Sequence, residues 1–126
     1  MTPGKLINLN YLRQHTRSDA GLMLDMILIY LEQTPGLITA MKNGLQQKDW
    51  RLLSAAAHKL KPSFRIIGVP GKEAVAKQIQ TFAELDEPNP ELLGPLVEEL
   101  ANTCEIIYNE LQDEIVLLKK SPSAER

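Results

Sequence analysis

Apolar residues recur at spacings of three and four along most of the chain, and no segment alternates with the period of two that a half-buried strand requires. Leu53, Ala57, Leu60, Phe64 and Ile67 form one such series. Leu93, Leu96, Leu100, Cys104, Ile107, Leu111 and Ile115 form another. A stripe of this kind occupies one face of an α-helix and has to be covered by another element. No Asn-Gly or Asp-Gly turn links two β-rich runs, so the sequence predicts an all-α chain.

The helix boundaries follow from capping chemistry. A short helix fits around Leu9 to His15. Ser18 or Asp19 then caps a second helix whose stripe is read as Leu22, Met26, Ile29, Tyr30, Gln33, Leu37, Met41 and Leu45. Pro35 either starts a new helix after Thr34 or kinks one long helix. "QKDW" is a turn, with Asp49 capping a helix that ends near Ile67 at Gly68, with Pro70 just beyond. A further helix fits Gly71 to Leu85. "DEPNPE" breaks the chain again, and Asn89 with Pro90 at the first helical position starts a last helix running to about Lys120. Four long amphipathic segments on short loops predict an antiparallel up-and-down four-helix bundle with a short additional N-terminal helix. Residues 1–120 are expected to form one domain, with a disordered tail over 121–126.

Composition narrows the function. A net charge of -2 and a pI of about 5.7 argue against a general nucleic-acid binder, which needs a basic footprint. The single cysteine, Cys104, cannot form an internal disulfide, and no Cys/His cluster has metal-ligand spacing. Asp25 and Glu105 fall on or near apolar stripes but form no Glu-x-x-His pair, which counts against a metal or haem bundle. The longest apolar stretch, "LMLDMILIYL", is interrupted by Asp25 and too short to cross a membrane. "MTPGKLINLN" has no signal-peptide core. A cytoplasmic, monomeric protein is expected.

One residue stands out against this background. With about 100° per residue, His58 lies roughly 160° from Leu60, on the face opposite the core seam. Arg51, Ser54, Ala55, Pro62 and Arg65 share that face, and Lys61 sits at its edge. His58 should therefore be exposed, with small side chains one turn before it and cations one turn after. It is either an inert surface histidine or a reactive one. A neutral imidazole is a competent nucleophile near neutral pH. Phosphoryl transfer needs chiefly positioning and charge stabilisation, which nearby Lys and Arg would partly supply. A metal site is disfavoured because the residue four on is Pro62.

The stretch "AHKLKPSFRIIG" resembles the signature of histidine-containing phosphotransfer (HPt) domains, commonly A-H-x-L-K-G followed by several residues and a glycine. Ala57, His58, Leu60, Lys61 and Gly68 match it in type and spacing, and the resemblance extends over about residues 19 to 118. It favours one continuous helix, kinked at Pro35. The resemblance implies that His58 accepts a phosphoryl group at Nε2 from a receiver-domain aspartate and passes it to another. Lys61 would neutralise phosphoryl oxygens. Gly68 would allow close approach of a helix or partner, unless it is only a helix cap. Gln80, 22 residues after the histidine, would hydrogen-bond the imidazole region, with Gln78 the less favoured alternative. The implied partners are receiver domains of hybrid sensor histidine kinases and response regulators. The chain would bind no cofactor itself, and Mg²⁺ would sit on the receiver. Leu12, Leu22 and Ile67, together with Ser54, Ala55, Pro62, Arg65 and Gly68, are the candidate docking residues.

Two residues depart from the pattern. Pro62 stands where a glycine is usual, removes the N–H that would bond the His58 carbonyl, and predicts a kink or widened turn there. Arg65 stands where a small residue is common and would either add phosphate affinity or restrict which receivers fit. The chain has no Gly-rich phosphate loop, so no ATP site is expected. The alternative reading is a non-phosphorylated helical adaptor that docks receiver domains or other proteins.

Overall fold

In the computed structural model, which describes residues 5–69 and 71–120, the periodic segments form five helices: α1 (Asn10–His15), α2 (Ala20–Gln47), α3 (Trp50–Ile67), α4 (Lys72–Ala83) and α5 (Pro90–Lys119). The expected stop at Pro70 and the tail over 121–126 lie outside the described residues. The caps are those the sequence supplies. Asp19 accepts from the Leu22 N–H at 3.1 Å, Asp49 from Leu52 at 3.1 Å and Asn89 from Glu91 at 3.0 Å. Helix α4 begins one residue later than expected because Gly71, at φ 88°, is its N-cap and has no side chain to contribute.

Three internal prolines are carried without a break, Pro95 in α5 among them. Helix α2 runs through Pro35 and α3 through Pro62. The turn at His58 stays α-helical, so the widened turn expected from Pro62 is not formed. Pro62 lies on the exposed face, where the unbonded carbonyl one turn back is open to water.

Helices α2 and α4 each pack against both α3 and α5, which closes a four-helix ring, and α1 packs on α3. Short connections make sequential helices antiparallel. The centre is filled by Phe64, Leu53, Leu60, Ile67, Ile79, Leu93, Leu100, Ile107 and Leu111, all fully buried. Apart from Ile79 on α4, these belong to the α3 and α5 stripes read from the sequence, in which Leu96 is only half-buried.

Helix α2 is rotated from the expected setting. Its buried face carries Met23, Ile27, Tyr30, Thr34, Met41 and Gly44, while Leu22 and Ile29 are 52% and 51% exposed and Gln33 faces solvent. So many α2 residues are apolar that two stripes fit the spacing. Gly44 decides between them: a Cβ there would stand 2.9 Å from the Leu53 backbone nitrogen, so this face alone approaches the start of α3 closely.

The segment before α1 is fastened across the bundle. The Glu110 carboxylate on α5 accepts from the Leu6 N–H at 2.8 Å and the Ile7 N–H at 3.0 Å, and the Asn8 N–H donates to the Ile67 carbonyl at 3.1 Å. Ile7, Leu9 and Leu12 are thereby pressed into the core. Among the described residues no helix is long and apolar enough to cross a membrane.

Candidate functional site

His58 is exposed on the outer side of α3, as the helical arithmetic predicts. It lines an open depression between α3 and α4 whose other walls are Trp50, Arg51, Ser54, Ala55, Gln80, Ala83 and Glu84. Among the described residues the imidazole has no hydrogen bond or ion pair. Its ring is free to meet a partner.

Two side-chain bridges fix the register of α4 against α3. Ser54 Oγ donates to Glu84 Oε1 at 2.7 Å, and Arg65 pairs with Glu73. Four residues on from Ser54 is His58, and four back from Glu84 is Gln80. Counting seven back from Arg65 and seven on from Glu73 gives the same two residues. His58 and Gln80 therefore face each other across the α3–α4 seam. The Gln80 amide donates to Glu84 Oε1 at 3.5 Å, which leaves its carbonyl oxygen as an acceptor toward the depression. Gln78 is exposed and does not line it.

The cations are arranged differently from the sequence reading. Lys61 is half-buried and lines a separate hollow with Gly71, Glu73, Ala74 and Lys77, one turn along α3 from His58. Arg65 is exposed but already engaged: the Glu73 carboxylate hydrogen-bonds its guanidinium and raises its pKa above the ordinary arginine value. The cation that does line the His58 depression is Arg51, two turns before the histidine. Arg51 was placed on the correct face by the sequence but was not singled out. Glu84 and Trp50 were not singled out either: both lie outside the signature, and Glu84 enters only through the packing of α4 on α3.

Several expected docking residues are not on the surface. Leu12 and Ile67 are both fully buried, because α1 lies on α3 and closes over that end of the core. Ser54 is 8% exposed, since α4 covers its side of α3 and supplies Glu84 as its partner. Gly68 is half-buried at φ 72°, with the Asn8 carbonyl oxygen 1.9 Å from where a Cβ would lie. Its close neighbour is the protein's own N-terminal segment. Ala55, Pro62 and Leu22 are exposed as expected.

Asp25 and Glu105 are exposed on α2 and α5, off the buried stripes. Among the described residues no group of His, Cys, Asp and Glu side chains could hold a metal ion. Cys104 is buried, its thiol accepting from the Tyr30 hydroxyl at 3.9 Å. Burial pushes the Cys104 thiol up to about 11 and raises the Tyr30 phenol still further from its usual range.

The Hpt domain family matches residues 25–118 of the chain, a span that holds α3, α4 and most of α2 and α5. No curated protein and no solved structure matches it.

Proposed function

For a chain that belongs to the Hpt domain family, whose members serve histidine phosphotransfer in two-component phosphorelays, we propose that His58 is the phosphoacceptor. A receiver-domain aspartyl phosphate docks over the α3–α4 depression. The Nε2 lone pair of His58 attacks phosphorus, the acyl-phosphate P–O bond breaks, and its electron pair leaves on the aspartate. The reverse step, onto a second receiver, returns the neutral imidazole. The observation that carries this reading is the exposed imidazole, without a partner among the described residues, facing Gln80 within the matched span.

The surrounding residues then take distinct roles. A rotation of the Gln80 side chain would let its carbonyl accept the Nδ1–H of His58 when the receiver docks and so keep Nε2 as the nucleophile. Lys61 and Arg51, on either side of His58 along α3, offset charge on the transferring phosphoryl oxygens. The family's receiver carries the Mg²⁺, and this chain contributes no ligand to it. Docking uses the exposed apolar groove between α2 and α3 beside His58, where Met26, Ile29, Lys59, Pro62 and Ile66 are exposed or half-buried. Leu22 lies farther along the same helix. Ala55 leaves room for the receiver backbone next to the imidazole.

The test is transfer of labelled phosphate from purified phospho-receivers to the wild type and to His58→Gln. Acid-labile, base-stable label on the wild type alone supports the reading. Folded wild type that binds receivers without taking label would favour the adaptor reading.

A further inference from the structure

We propose that Glu84 weakens the hold of His58 on its phosphoryl group, so that the group passes readily to a receiver. The inference rests on His58 being the phosphoacceptor. It names a residue outside the phosphotransfer signature as the one that sets the balance between histidine and aspartate.

The carboxylate is held in place and not neutralised. Its Oε1 accepts the 2.7 Å hydrogen bond from Ser54, whose side chain is sheltered under α4. Among the described residues no Lys, Arg or His comes within ion-pair distance of it. Ser54 and His58 are one turn apart on α3, and side chains so spaced are neighbours. Glu84 is also the C-cap of α4, so the negative end of that helix's dipole meets the same depression. The nucleophilic form of the imidazole, with its Nε2 lone pair free, gives this field no net charge to act on. Once the N–P bond has formed, the phosphoryl group brings close to two negative charges into it, which outweigh the single positive charge on the ring while Nδ1 keeps its proton. Glu84 therefore raises the phosphorylated state relative to the free one, against the opposite pull of Arg51 on the same depression. Glu84 leaves the bonds formed and broken unchanged and shifts only their equilibrium.

The experiment uses the whole chain, phosphorylated at His58 with phosphoramidate and followed by ³¹P NMR, and then chased with a receiver domain. Wild type, Glu84→Gln and Ser54→Ala are compared, with circular dichroism confirming the fold. Removing one charge from the wall of the same depression, in partly solvated surroundings, predicts a shift of roughly three- to tenfold toward phosphohistidine in Glu84→Gln. The shift should be smaller in the same direction in Ser54→Ala, which unlatches the carboxylate. Raising the salt to about 1 M should close the gap, since the effect is charge repulsion across solvent. A Glu84→Gln protein that phosphorylates less completely than wild type would overturn the proposal by making the carboxylate a stabiliser. Identical behaviour of all three proteins would overturn it as well, while leaving His58 as acceptor. A wild type that takes no phosphoryl group at His58 would overturn both.

Discussion

Replacing Gly68 by alanine separates two explanations of that glycine. At φ 72° an L-residue carries a penalty of about 1 kcal/mol. The added Cβ would also lie 1.9 Å from the Asn8 carbonyl oxygen and 2.8 Å from its carbon, and both are backbone atoms that no rotamer change can move. The segment before α1 must therefore shift. That breaks the 3.1 Å bond from the Asn8 N–H to the Ile67 carbonyl, worth about 1 kcal/mol, and loosens Ile7 and Leu9 in the core. The expected total is about 2–4 kcal/mol, read as a lowered urea midpoint with an unchanged slope. In a background lacking residues 1–8 the same substitution should cost only about 1 kcal/mol, because the clash has gone. A change below about 0.5 kcal/mol in the full chain would refute the steric argument and return Gly68 to a role in partner approach. An equal cost in both backgrounds would place the whole effect in the helix cap.

Three further outcomes follow from the same structure. The Cys104 thiol, raised by burial to about 11, titrates above its unfolded value, so its contribution is complete below about pH 9. Stability should fall by on the order of 2 kcal/mol as pH rises through 11, and Cys104→Ala should flatten that slope in urea titrations. Glu110→Ala removes the acceptor of the Leu6 and Ile7 N–H groups and should lower stability by about 1–3 kcal/mol, with amide exchange at those two residues accelerated. Pro62→Ala restores the N–H toward the His58 carbonyl and should raise stability by about 1–2 kcal/mol, measured by thermal unfolding.

Much of the architecture was legible because α3 and α5 each offer a single apolar stripe between unambiguous caps. The Asp49 and Asn89 caps and the Gly68 stop all sit where the sequence puts them. Helix α2 was misrotated because "GLMLDMILIYL" is apolar on too many sides, and the deciding contact is Gly44 against Leu53, 9 residues on in the chain and in another helix. The exposure of His58 could be read from helical angles, and so could the identity of its outward neighbours. What lies across the seam could not: Glu84 latched to Ser54, and Glu73 occupying Arg65, depend on the register of α4. Leu12 and Ile67 looked available for docking for a related reason. Periodicity cannot show that α1 folds down over the end of α3.

The central claim is that a phosphoryl group on His58 is a transit state between two receivers. A two-stage transfer tests it most directly. Wild-type protein is labelled by one phospho-receiver, repurified, and mixed with a second, unphosphorylated receiver and Mg²⁺, with phosphoamino-acid mapping at each stage. The account predicts label at His58 after the first stage, followed by its loss from this chain and appearance on the second receiver's aspartate. Label that resides elsewhere than His58, or that leaves His58 only as inorganic phosphate with every receiver tried, would contradict it.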